Sequence, residues 1–313
     1  MTAISDSQSF SSFQVESKAQ QLIRGLVWKM AIATFILMAI GSATRVMNAG
    51  LACPDWPLCY GTLIPTQQMN LQVFLEWFHR LDAALIGVMA IALASLSWWH
   101  RHEVPHWLPW VSTLALGLVC FQGLLGGLTV TELLRFDIVT AHLGTALLFF
   151  ATLLIAGTLL LPQHRAGDHK TNANTALPWI SLVAAILIYL QSLSGGLVGS
   201  RWALHQCLSL SSLCTVMNSH LIGVVPASVS VLVVGVWAWR TPDLARSVRR
   251  LANLAGLFLV IQILLGVLTF RLHLQVEVLT VSHQAVGAAL FGTLICLTVI
   301  SLRDRSTSRL QSS

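Results

Sequence analysis

The chain has 313 residues, of which 55% are hydrophobic and only 10% charged, against about 25% charged in an ordinary soluble protein. That composition excludes a soluble globular protein and predicts an all-α integral membrane protein that crosses the bilayer many times. The formal net charge of +6 follows from cationic loops at one membrane face and implies no nucleic-acid partner.

In chain order, the segment 1–23 is polar and Ser/Gln-rich and lacks the short apolar core and cleavage site of a signal peptide, so it predicts a disordered cytoplasmic tail. Eight apolar stretches follow, at roughly 24–46, 72–98, 107–131, 136–161, 177–199, 215–238, 248–270 and 275–302. Each reaches the ~20 residues needed to cross a hydrocarbon core. Between the fourth and fifth lies PQHRAGDHKTNANTALP, a polar link bounded by Pro162 and Pro178. The expected organisation is a four-helix bundle over 24–161, a cytoplasmic linker over 162–176, a second four-helix bundle over 177–302 and a cytoplasmic tail over 303–313. An even number of spans in each half gives both halves the same topology, a parallel internal repeat.

Thirteen of the 18 Lys and Arg residues fall on the N-tail side of this topology; the other side keeps Arg45, Arg135, Arg201 and Arg271, with Arg80 inside a span. Cationic loops stay cytoplasmic, so both termini are expected inside. Cys53 and Cys59 in ACPDWPLCYG, and Cys207 and Cys214 in HQCLSLSSLC, then fall in matching extracytoplasmic loops. Two close pairs on an oxidising side are disulfide candidates. Cys120 and Cys296 lie inside spans as small core residues, and most of the tryptophans sit at span ends as interfacial anchors.

The repeat carries four histidines. His79 in LEWFHRLDAALIGV and His220 in TVMNSHLIGV are 141 residues apart, and so are His142 in DIVTAHLGTALLF and His283 in EVLTVSHQAVGAALF. The register holds between them, since FQGLLGGLTV (121–130) resembles IQILLGVLTF (261–270), with Gln122 and Gln262 recurring. All four lie on the second and fourth spans of their half, near the outer boundary. Ionisable groups inside a membrane mark function, and paired imidazoles suit haem iron, so the spacing predicts two haem pockets. The first pocket has company that the second lacks. Glu76, His79 and Arg80 share one helical face, whereas the matched positions around His220 hold Met217 and Leu221. Glu76 and Arg80 either pair with each other or leave Arg80 to hold a haem carboxylate. His100, His102, His106, His164 and His169 read as solvated; His205 and His273 in outer loops are left open.

GSATRVMNAGLACPDWPLCYG, EWFHRLDAALIGV, TAHLGTALLF and SHQAVGAALF together resemble the haem A synthase family, over about 24–302. The resemblance implies a haem-dependent oxidoreductase that converts haem O to haem A, oxidising a ring methyl to formyl through hydroxylated intermediates for terminal oxidase biogenesis. It implies haem O in the first half between His79 and His142, with Glu76 as the essential carboxylate. It implies a resident haem B in the second half, with His220 and His283 as axial iron ligands. Paired outer cysteines match the bacterial type, which implies a bacterial cell membrane or another energy-transducing membrane. Lipid, haem O synthase and an electron donor the residues do not identify are the implied partners, with a homo-oligomer left open. Two other readings of the histidines stand beside it: a b561-like diheme electron carrier, which needs haems near both faces, and a haem transporter or chaperone.

Overall fold

The computed structural model describes residues 17–162, 176–199, 212–272 and 275–312, the side chains of 212–214 and 305–312 excepted. Among them eight helices run in order: α1 (Lys18–Val46), α2 (Leu71–Trp99), α3 (Leu108–Thr131), α4 (Phe136–Leu159), α5 (Leu177–Val198), α6 (Ser212–Arg240), α7 (Arg246–Arg271) and α8 (Glu277–Ser312). All eight are long and apolar enough to span a membrane. Helices suit that solvent because each satisfies its backbone N–H and C=O groups within the segment. The chain is an all-α multi-pass membrane protein.

Two helices extend beyond their apolar cores. α1 begins at Lys18 rather than near residue 24, because Ser17 caps it: the Ser17 side chain accepts from the Gln20 N–H at 3.0 Å. The Ser17 hydroxyl also donates to the Glu103 carbonyl at 3.2 Å, and Ala19 and Ile23 are buried. The part of the expected tail nearest the membrane is therefore helix. α8 likewise continues past residue 302. There Arg303 donates to the carbonyls of Thr158 at 2.6 Å and Leu161 at 2.9 Å, adding side-chain donors at the C-terminal end of α4. Hydropathy alone does not register such polar extensions.

Contacts run α1–α2, α2–α3, α3–α4 and α4–α1, and again α5–α6, α6–α7, α7–α8 and α8–α5. The two rings meet through α1–α8, α4–α8 and α4–α5, and α8 is the most enclosed helix. Apolar lipid gives little hydrophobic drive for helices to associate, so close packing must hold them. Glycines make that approach where the rings meet. A Cβ at Gly144 of α4 would lie 3.0 Å from the Tyr189 hydroxyl and from Leu193 of α5. One at Gly292 of α8 would lie 2.9 Å from Phe150 and Leu154 of α4. Leu85, Leu124, Val229 and Leu264 face outward as lipid contacts, and exposed Trp99 and Trp239 stand at helix ends.

The α1–α2 loop folds back on the first ring. A disulfide joins Cys53 to Cys59. The Trp77 indole donates to the Leu63 carbonyl at 2.7 Å, and Trp56 lies over α3, 3.3 Å from where a Gly127 Cβ would stand. Cys207, the Cys214 side chain, Arg201, His164, His169, His205 and His273 lie outside the described residues.

Candidate functional site

Each of the four histidines stands about two turns into its helix, on α2, α4, α6 and α8, and each meets a glycine of the preceding helix. A Cβ at Gly41 would lie 2.8 Å from Cε1 of His79, and one at Gly195 3.0 Å from Cε1 of His220. The same atom of His283 would be 2.9 Å from a Cβ at Gly266, and that of His142 3.4 Å from one at Gly126. The missing side chain lets the imidazole edge rest on helix backbone. Each ring then comes within electrostatic reach of the carbonyl four residues before its glycine, on Leu37, Gln122, Gln191 or Gln262.

Three of those four positions are glutamine, and their amides reach the histidines. Gln122 donates to the His142 carbonyl at 2.9 Å, and Gln191 to the His220 carbonyl at 2.8 Å. The Gln262 amide nitrogen lies 3.4 Å from Nε2 of His283. Nδ1 of His220 is held by the Ser194 hydroxyl at 2.8 Å and the Gln191 amide at 3.0 Å. Nδ1 of His79, His142 and His283 is buried without a partner at hydrogen-bond geometry. α1 breaks the pattern, since Leu37 takes the glutamine position opposite His79. Gln191 is a residue that the sequence reading did not single out as a site group. A signal was there: LQSLSGGL (190–197) keeps the Gln-x3-Gly spacing of FQGLLGGL (121–128) and IQILLGVL (261–268).

The rings come in pairs. His79 lies within Coulombic range of His142, and His220 of His283. His220 and His283 line one cavity of about 500 Å³ in the second ring, within the ~300–1,000 Å³ usual for small-molecule sites. Met217 and Leu221, the positions that match Glu76 and Arg80, also line it, and most of its wall is apolar.

In the first ring Glu76 is only 4% exposed. One carboxylate oxygen accepts from Arg80 at 2.5 Å and the other from the Cys53 backbone N–H at 2.8 Å. Arg80 also donates to the carbonyls of Asp55, at 2.6 Å, and Leu58. Of the two roles open to Arg80, the geometry shows pairing with Glu76, and it adds a loop clamp. Burial of a carboxylate is costly unless a charged partner and further hydrogen bonds compensate it; here both are present. Asp55 closes the same loop, accepting from the N–H groups of Tyr60 at 2.6 Å and Gly61 at 2.8 Å. These donors, Gly61 first, hold the exposed Asp55 carboxyl below the usual carboxylate range.

The fold and site define a class: a polytopic membrane protein with an imidazole pair in each of two helix rings. A model of the family COX15-CtaA, cytochrome oxidase assembly protein, matches residues 24–295, and the chain belongs to that family. It is 29% identical over 204 residues to a protein of Shewanella oneidensis named heme A synthase, covering 59% of this chain and 60% of that protein. The heme A synthase of Staphylococcus carnosus is 22% identical over 305 residues, 93% of this chain and 98% of that one. A protoheme IX farnesyltransferase of Halobacterium salinarum is 25% identical over 213 residues, 62% of this chain and 46% of that one. Each of these names concerns haem. The donor set fits such a group: paired imidazoles, a mostly apolar cavity, and bare glycines that seat the rings.

Two outcomes follow. Gly195→Ala and Gly266→Ala, each forcing a methyl against a histidine ring, should cost about 1–3 kcal/mol. Gly256→Ala on α7, whose Cβ would meet nothing within 4 Å, should instead gain about 0.5–1 kcal/mol. Thermal unfolding in detergent checks the contrast, and equal effects at all three positions would refute the seating. Second, because the Asp55 carboxyl is lowered in the folded loop, its contribution is present above the ordinary carboxylate range. It is lost as pH falls through the lowered value. The protection of the Tyr60 and Gly61 amides relative to their intrinsic exchange rates should fall at that acid end, and Asp55→Asn should abolish the dependence.

Proposed function

We propose that this chain is a haem A synthase that oxidises the ring methyl of haem O to a formyl group, in a membrane with the cysteine loops extracytoplasmic and both termini inside. The observation that carries the reading is the duplicated histidine pair with one difference between the copies. Both rings present a pair of imidazoles, and among the described residues only the first adds a buried carboxylate, which lies beneath a disulfide-closed loop. On this reading haem O, the substrate, lies between His79 and His142 in the 24–161 bundle. A resident haem B lies between His220 and His283 in the 177–302 bundle.

When bound, the haem B iron supplies one-electron chemistry. The protein residues do the rest. Ser194 and Gln191 engage Nδ1 of His220, which leaves Nε2 as the nitrogen free for a metal, the arrangement that fixes a ligating histidine. The mostly apolar wall around His220 and His283 suits the flat hydrophobic faces of a macrocycle. In the first bundle Glu76 is placed one helical turn before His79, where a carboxylate can take up protons as the methyl is oxidised. Its partners Arg80 and the Cys53 N–H hold it aimed in one direction. The loop carrying Trp56, Cys53 and Cys59 lies over α2 and α3 and shields this pair. His79 lacks the glutamine that each of the other three histidines faces. Cys207 and Cys214 are proposed as the matching disulfide of the second half. The haem O made by a farnesyltransferase is the substrate such an enzyme needs, so haem O synthase is the proposed upstream partner.

Co-expression with a source of haem O should yield haem A or its hydroxymethyl precursor in extracted pigment, identified by mass. Unchanged haem O in the presence of well-folded protein would sink the reading. Glu76→Gln should keep the low-spin haem B absorbance while formation of haem A falls by about 10²–10⁴-fold, the usual scale for a proton-transfer group. Normal turnover in that variant would remove the carboxylate from the mechanism. His220→Ala or His283→Ala should abolish the resident haem B spectrum, whereas His79→Ala or His142→Ala should spare most of it. Equal loss of one spectral component in both sets would refute the division of labour.

A further inference from the structure

We propose that Arg45 is the carboxylate-binding residue of the cavity in the second ring, taking an acidic edge group of the tetrapyrrole held there, with Arg271 as a second cation at the same mouth. The inference rests on the haem reading above. Arg45 belongs to the last turn of α1, a helix of the first ring, yet it lines the cavity of the second. Its guanidinium donates to the Gly196 carbonyl at 3.2 Å and to Oε1 of Gln284 at 2.8 Å. The Ser42 hydroxyl donates to the same glutamine oxygen at 2.9 Å and steadies it. No carboxylate among the described residues pairs with Arg45.

A cation in the last turn of a helix is ordinarily explained by the helix dipole. That account fails for Arg45, because both acceptors belong to the other ring: Gly196 on α5 and Gln284 on α8. Space is made for the guanidinium as well, since a Cβ at Gly199 would lie 3.0 Å from Nη2. A half-buried guanidinium with only neutral acceptors in a membrane is an incomplete arrangement. Its best complement is a carboxylate, which matches the planar fork with two charge-assisted hydrogen bonds.

Arg271 ends α7 and lines the same cavity. α1 and α7 cross the membrane in the same direction, so their last turns lie at one end of the molecule. The cavity is therefore polarised, with two cations at its mouth, two imidazoles on its walls and mostly apolar surface elsewhere. A flat ligand with carboxylates along one edge has that distribution. The device is also one-sided. Arg45 stands four residues after Gly41, the glycine facing His79, and the position four after Gly195 is Gly199. α5 returns no arginine to the first ring.

The full chain, produced in a haem-deficient host and purified in detergent, is titrated with haem B and with haem B dimethyl ester, whose carboxylates are blocked. Binding is read from Soret absorbance. Wild type should bind haem B about 10- to 100-fold more tightly than the diester, the range for hydrogen bonds to a charged group. Arg45→Ala should lose most of that preference with little change in diester affinity, and Arg45→Lys should recover part of it. A wild-type preference near one overturns the proposal without any variant, which covers an Arg45→Ala chain that fails to fold. An Arg45→Ala preference equal to wild type also overturns it. Folded wild-type protein that binds neither ligand overturns the haem reading itself, a result distinct from loss of preference.

Discussion

The contact between an imidazole edge and the bare backbone of a glycine is the interaction on which the rest of the site depends. It is made four times, at Gly41, Gly126, Gly195 and Gly266, always by the histidine-bearing helix against the helix before it. In a membrane there is no water to satisfy a ring nitrogen, so a histidine must be given a surface to lie on and a carbonyl within reach. Glycine provides both, because a Cβ at three of these sites would fall within about 3 Å of the ring. The pairing thereby sets how close successive helices stand, and with it the width of the space each ring encloses.

Within this repeated frame the two rings have diverged in what surrounds the imidazoles. The first closes over its pair: Glu76, Arg80, Asp55 and the Cys53–Cys59 disulfide form one connected group that draws the α1–α2 loop down onto α2. In the second, Met217 and Leu221 stand at the positions of Glu76 and Arg80 and line a cavity. Of the two cations that line it, Arg45 is borrowed across the ring boundary, since it comes from α1 and is fixed by Gly196 and Gln284. The rings are thus unequal partners. One carries a carboxylate near its histidines, and the other holds a mostly apolar cavity, one of whose two cations comes from its neighbour.

That dependence gives the ring boundary a role beyond packing. α8 touches α1, α4, α5 and α7, and carries both His283 and Gln284. One helix therefore presents a histidine to its own ring and, at the next residue, an amide oxygen to an arginine of the other. A shift of α1 against α8 changes the cavity through Arg45 without touching either histidine.

The sequence by itself determined the class of protein, the eight spans and the family, because these follow from composition, segment length and local motifs. The Cys53–Cys59 bond was legible for a similar reason, as two cysteines six apart in one short loop have few other partners. The internal repeat and its four histidines were visible as equal spacings. The start of α1 at Lys18 was not, since a Ser17 cap and a contact to Glu103 hold a polar stretch that hydropathy scores as tail. Only the tertiary structure decided where the charges point. Glu76 and Arg80 share a helix face in any reading, but their joint hold on Cys53, Asp55 and Leu58 requires the loop to be folded back. Arg45 shows the limit most clearly. As a residue in a chain it is one more cation at the end of a span; its partners lie 151 and 239 residues away, and no local pattern connects groups that meet only when two helix rings pack together.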